Sequence, residues 1–181
     1  MLKKILVLGV LSGLAVTVCS CDLFSKPDRT GCDYLMKMGA MLAAEKEFQK
    51  NMAATDWSDL DALPGNVITM DEGIENLIAM RRSFENEVSG LLKGDLYGVH
   101  NVFMDILTND IEAVQITSMQ IKQWMAAPPS DEERQAAQEE LGKYKVRYNA
   151  LVIKLAEAIS KVDARKFEEC PVQKQIILFP H

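Results

Sequence analysis

Apolar side chains recur every three or four residues along four separate stretches of this chain, each bounded by proline, glycine or a capping pattern. That spacing lines one face of a helix with 3.6 residues per turn, so each stretch has a stripe to bury against another. The first, 33–54, carries Leu35, Met38, Leu42, Phe48 and Met52, with Thr30 or Asp33 placed to cap it. The second, 70–93, carries Ile74, Leu77, Phe84, Val88 and Leu91. Thr69 and Glu72 have the spacing of a capping box, and Gly94 stands where a helix would end. The third, 96–127, carries Met104, Leu107, Ile111, Val114, Ile121 and Met125, and Val102, Phe103, Ile106 and Ala113 broaden its face. It is predicted to be the most buried helix, and Pro128-Pro129 stops it.

The fourth stretch opens with Ser130 and Glu133, a second capping box. It holds Leu141, Tyr144, Tyr148, Leu151, Leu155, Ala158 and Val162 in heptad-like register and is predicted to run on until Pro171. Asp131, Glu132 and Glu133 at its start, with Lys161, Arg165 and Lys166 at its end, suit the helix dipole. Between the first two stretches, 55–68 breaks the pattern with Pro64 and Gly65 but keeps Trp57, Leu60, Leu63, Val67 and Ile68. A loop this apolar is expected to pack across one end of the helices. The later connections are short, which favours antiparallel neighbours. The predicted fold is all-α: an antiparallel up-down-up-down four-helix bundle with a long apolar loop between helices 1 and 2.

The start of the chain is an address rather than part of the fold. Lys3 and Lys4 precede an uncharged apolar run, Ile5 to Val18. That run is short of the roughly 20 residues a spanning helix needs. A basic start, a short apolar core and small residues describe an export signal, here 1–20, that is removed. Val18-Cys19-Ser20-Cys21 resembles a bacterial lipobox, with Cys19 departing from the usual pattern. The resemblance to bacterial lipoproteins covers only the first 22 residues. It implies lipid on Cys21 and anchoring in the cell envelope, on the periplasmic side of the inner membrane or at the outer membrane. The competing possibility is ordinary cleavage after Ser20, which leaves Cys21 a free thiol. Residues 21–31, including Ser25-Lys26-Pro27-Asp28-Arg29, would space a single helical domain, 32–181, from the membrane.

Loss of Lys3 and Lys4 with the signal moves the net charge from −6 to −8. An acidic domain repels nucleic acid and anionic lipid head groups, so no nucleic-acid partner is expected and membrane contact falls to the lipid. In an oxidising compartment the remaining cysteines, Cys32 and Cys170, are expected to pair. Up-down-up-down topology brings the start of helix 1 and the end of helix 4 to the same end, where those two cysteines lie.

Polar residues interrupt the stripes at Glu45, Arg81 and Asp110. Counted from the cysteine end, all three share a layer about 17 Å deep. They form a buried carboxylate–guanidinium–carboxylate site, a structural ion-pair cluster, or simply solvated side chains on a stripe edge. Met36, Met38 and Met41 are a possible thioether group for Cu(I), or core filling. His100 and His181 lack the Glu-x-x-His context of di-iron bundles, and no nucleotide, haem or hydrolase motif is present. Trp57, Pro64 and Trp124 fall near the end away from the cysteines, as an interaction patch or as the loop packed over helices 3 and 4. The expectation is a non-enzymatic, lipid-anchored accessory or assembly subunit with a protein partner and no cofactor. The alternative is a bundle that binds a small ligand or copper.

Overall fold

A computed structural model describes residues 28–167 and Cys170. The proposed signal segment, Cys19, Cys21 and the linker up to Pro27 lie outside the described residues, as do Pro171, the apolar tail Ile176–Phe179 and His181. The described residues form four α-helices and no strand: α1 (Thr30–Ala54), α2 (Leu63–Val88), α3 (Leu96–Ala126) and α4 (Asp131–Ser160), followed by a short 3-10 turn (Ala164–Phe167). Each helix packs against its neighbours in sequence, and the 3-10 turn packs back on α1. No described helix is long and apolar enough to cross a membrane.

The boundaries follow local chemistry, and two differ from the sequence expectation. The helix α4 begins as predicted: Ser130 Oγ accepts from the Glu133 N–H at 3.2 Å, and the Glu133 carboxylate accepts from the Ser130 N–H at 2.7 Å. The predicted box at Thr69 and Glu72 does not start α2. That helix starts at Leu63, with Pro64 in its first turn, where a missing N–H costs nothing. The Asp59 carboxylate accepts the Asp61 and Ala62 N–H groups and leads the chain in. Thr69 Oγ1 donates instead to the Gly65 carbonyl at 3.1 Å. The expected long loop is therefore 55–62. Leu60, expected to pack, is 78% exposed.

At its other end α2 stops at Val88, short of Lys93. Gly94, at φ +56°, turns the chain into α3, a left-handed conformation that suits a residue without Cβ. The helix α4 likewise stops at Ser160 rather than running to Pro171. Lys161 is therefore its C-cap, whereas Arg165 and Lys166 lie beyond it in the 3-10 turn. Arg165 grips Asp163, NH2 to Oδ2 at 2.7 Å.

The core is graded from one end to the other. At the Cys32 end, Tyr34, Leu35 and Met38 from α1, Phe84 and Val88 from α2, and Leu96, Val99, Phe103 and Leu107 from α3 are buried. Tyr34 stands edge-on to Phe84, which stands edge-on to Phe103. Cys32 and Cys170 are joined as a disulfide, with Cα atoms 5.3 Å apart and 138 positions apart in sequence. Gly31 seats the 3-10 turn: a Cβ there would come within 2.9 Å of the Lys166 backbone oxygen. Beyond Glu45 in α1 nothing is fully buried, and beyond Ile111 in α3 only Ser118 is. Met125, expected in the stripe, is 41% exposed. Between Asp131 and Tyr148, α4 buries Ala137 alone.

A candidate apolar cleft and a buried carboxyl pair

The unburied half of the core is a cleft of about 980 Å³. Its origin is the choice of side chains on the converging faces. From α1 come Phe48, Gln49, Met52 and Ala53; from α3 come Ala113, Val114, Thr117, Gln120, Ile121 and Trp124. The wall on α4 is Arg134, Ala137, Gln138 and Leu141, one helical face at intervals of three and four. Three alanines, a threonine and three glutamines stand where the other half of the bundle has phenylalanine, leucine and valine. Small side chains leave the volume empty, because interiors close only when bulk meets bulk. Thr117 uses its hydroxyl on the Ala113 carbonyl at 2.9 Å, so it adds little polarity to the wall.

Trp57 and Trp124, expected at the end away from the cysteines, both line this cleft. Trp57 Nε1 donates to the Met52 carbonyl at 3.0 Å, which holds its ring against the end of α1. Pro64 is exposed in the first turn of α2 and is not on the wall; its neighbour Leu63 is. Phe48 packs its ring against α2 at Gly73, where a Cβ would fall on the ring. No sequence signal beyond alanine and glutamine at stripe positions marks these residues as a cleft.

Behind the wall formed by Phe48, Gln49 and Val114 lies a pocket of only about 10 Å³, bordered by Glu45 and Asp110. The structure thus brings together two of the three residues that interrupt the stripes. Arg81 is not with them: its half-exposed guanidinium pairs with Glu85 on its own helix at 3.9 Å. Its long stem lets the charge reach water from a stripe position. Gln49 Nε2 donates to Glu45 Oε1 at 3.2 Å. Asn109, which is buried, donates to Asp110 Oδ1 and to the Tyr144 carbonyl of α4, both at 3.2 Å. Burial, with the Asp110 carboxyl beside it as both hydrogen-bond partner and like charge, pushes Glu45 up to about 9. Glu45 is therefore protonated at neutral pH and can donate to Asp110, whose Oδ2 otherwise lacks a donor. Burial, then the nearby Asp110 and Glu45, also raises Tyr148.

The other sequence candidates separate. Met38 and Met41 are buried, whereas Met36 is 42% exposed and borders a groove between α1 and α2 with Met80. His100 Nδ1 lies 3.3 Å from the Tyr34 hydroxyl and its ring stacks on Phe84. Desolvation there holds it below the ordinary histidine value. Among the described residues no group of three or more His, Cys, Asp or Glu side chains could hold a metal ion. A polar tie that the stripes do not announce joins α2 to α3. Ser118 Oγ donates to Asp71 Oδ1 at 2.6 Å and Lys122 Nζ pairs with Asp71 Oδ2 at 2.6 Å. Lys122, then Ser118, holds the Asp71 carboxyl below its usual range.

No protein-family model, curated protein or solved structure matches this chain.

Proposed function

We propose that this chain is a non-enzymatic, lipid-anchored binding protein of the cell envelope that takes an apolar group into the cleft between α1, α3 and α4. One observation carries the reading: a cleft of about 980 Å³, walled by Trp57, Trp124, Phe48 and Met52. Ligand pockets of roughly 300–1,000 Å³ with apolar walls and a few polar groups are the usual form of small-molecule sites. The walls carry amides, an alcohol already bonded to backbone and one guanidinium, but no nucleophile–base pair. Anchoring rests on the Cys21 run, and mass spectrometry of the mature N-terminus tests it; an unmodified Cys21 removes the anchor and leaves export.

An up-down-up-down course of the helices accompanies this reading. It is supported by Lys37 near the start of α1 pairing with Glu87 near the end of α2 at 2.7 Å, and by Tyr34 meeting both Phe84 and His100. In that course the linker after Cys21 enters at the disulfide end and the cleft points away from the membrane.

The test is occupancy. A neutral apolar dye such as Nile red is expected to bind the wild-type protein. Ala113→Phe, which fills the cleft, is expected to weaken binding at least about tenfold. A protein that takes up no dye, or a filled variant that binds as well as wild type, defeats the reading. Exposed Leu60, Ile68 and Met125 near the same end favour a second reading, in which an accessory or assembly role is exercised by protein contact there. Crosslinking of the lipidated protein in its own envelope tests that; recovery of no stable partner counts against it.

A further inference from the structure

The mouth of the cleft specifies the charge of what enters. Two segments frame it: 55–62, which supplies Trp57 and Leu60, and 127–134, which supplies Pro128, Pro129 and Arg134. Together they carry six acids, Asp56, Asp59, Asp61, Asp131, Glu132 and Glu133, against a single base. That base, Arg134, is engaged by the Pro129 carbonyl at 3.0 Å and by Asp131 at 3.7 Å. Inside the cleft the wall holds no carboxylate and no cation other than Arg134. Glu133 also borders a neighbouring groove that shares Gln120, Trp124, Pro128 and Ala137 with the cleft. An apolar concavity ringed by one sign of charge concentrates the opposite sign at its mouth. Indole is the side chain that attracts a cation best, and both tryptophans of the chain stand on this wall.

We propose that the ligand is a small amphipathic cation, with its apolar body in the cleft and an ammonium group at the acidic mouth. This rests on the binding reading above and adds the head group to it. A carboxylate of the same length meets repulsion at the mouth, and an alcohol meets neither attraction nor repulsion.

Octyltrimethylammonium, octanol and octanoate distinguish these cases. Each is titrated into the full exported protein at low salt, followed by the intrinsic fluorescence of Trp57 and Trp124 and by calorimetry. Octyltrimethylammonium is expected to bind about tenfold more tightly than octanoate, with the gap closing at about 0.5 M salt. The triple variant Asp61→Asn, Asp131→Asn, Glu132→Gln is expected to bring the ratio towards one without changing octanol affinity. Equal affinities for all three probes, or preference for octanoate, overturn the head-group assignment and leave the apolar site standing. A gap that persists unchanged in the triple variant also overturns it. Failure of all three probes, octanol included, removes the site itself.

Discussion

Glu45 is a carboxyl group buried beside a second one, Asp110, and that setting disfavours its ionised form. The lower-energy arrangement shares a proton, with Glu45 as donor. Its pKa, about 9 in the fold, exceeds that of an unfolded glutamate. The unfolded chain therefore loses this proton near pH 4 to 5, whereas the folded chain keeps it until about pH 9. Across that window the folded state binds more protons, so stability contributed below the window is lost as pH rises through it. Glu45→Gln keeps a donor with no proton to lose. It is expected to flatten the fall in stability between pH 5 and 9 and to raise stability at pH 8 by on the order of 1–3 kcal/mol. Urea unfolding across that range checks it, and a variant with the wild-type slope rules out the shared proton. The pair was legible in the sequence because an acid inside an apolar stripe is conspicuous. Asn109 was not, since its role depends on the Tyr144 carbonyl of another helix.

The helices were most legible where a local pattern decides the geometry. The Ser130–Glu133 box satisfies two backbone N–H groups within four residues, with no need of tertiary contact. Ser130→Ala is expected to cost about 1 kcal/mol, measured by chemical denaturation, and Glu133→Ala a similar amount. Thr69 and Glu72 have the same spacing and lost to Pro64, whose fixed φ and missing N–H suit the start of a helix better than its interruption. The early end of α4 was not legible, because it follows from the 3-10 turn docking on Gly31, about 135 residues away in sequence. Gly31 and Gly73 read only as glycines until Lys166 and Phe48 are seen against them.

At the scale of the whole molecule, a closed end and an open end divide the work. The closed end holds the disulfide and the aromatic packing of Tyr34, Phe84 and Phe103; the open end holds the cleft. From Cys32 to Met52 along α1 is about 30 Å. Reduction, or Cys32→Ser with Cys170→Ser, is expected to lower stability by about 2–4 kcal/mol in calorimetry or denaturant titration. Dye affinity measured below the new melting temperature is expected to stay the same. A large loss of affinity in the still-folded variant contradicts the division. The division itself was only partly legible: stripes show which faces are apolar, but not that alanine and glutamine positions from three helices meet at one height.

The bond between Cys32 and Cys170 also changes what the chain is as a covalent object. It closes all four helices into one ring, with every connection between them inside it. A protease that cuts the exposed 55–62 segment opens the ring into a line and sheds no fragment. Two separate cuts within the ring, or one such cut and a reductant, are needed before any piece of the ring can leave. With the ring intact elsewhere, the first nick in that segment is survivable.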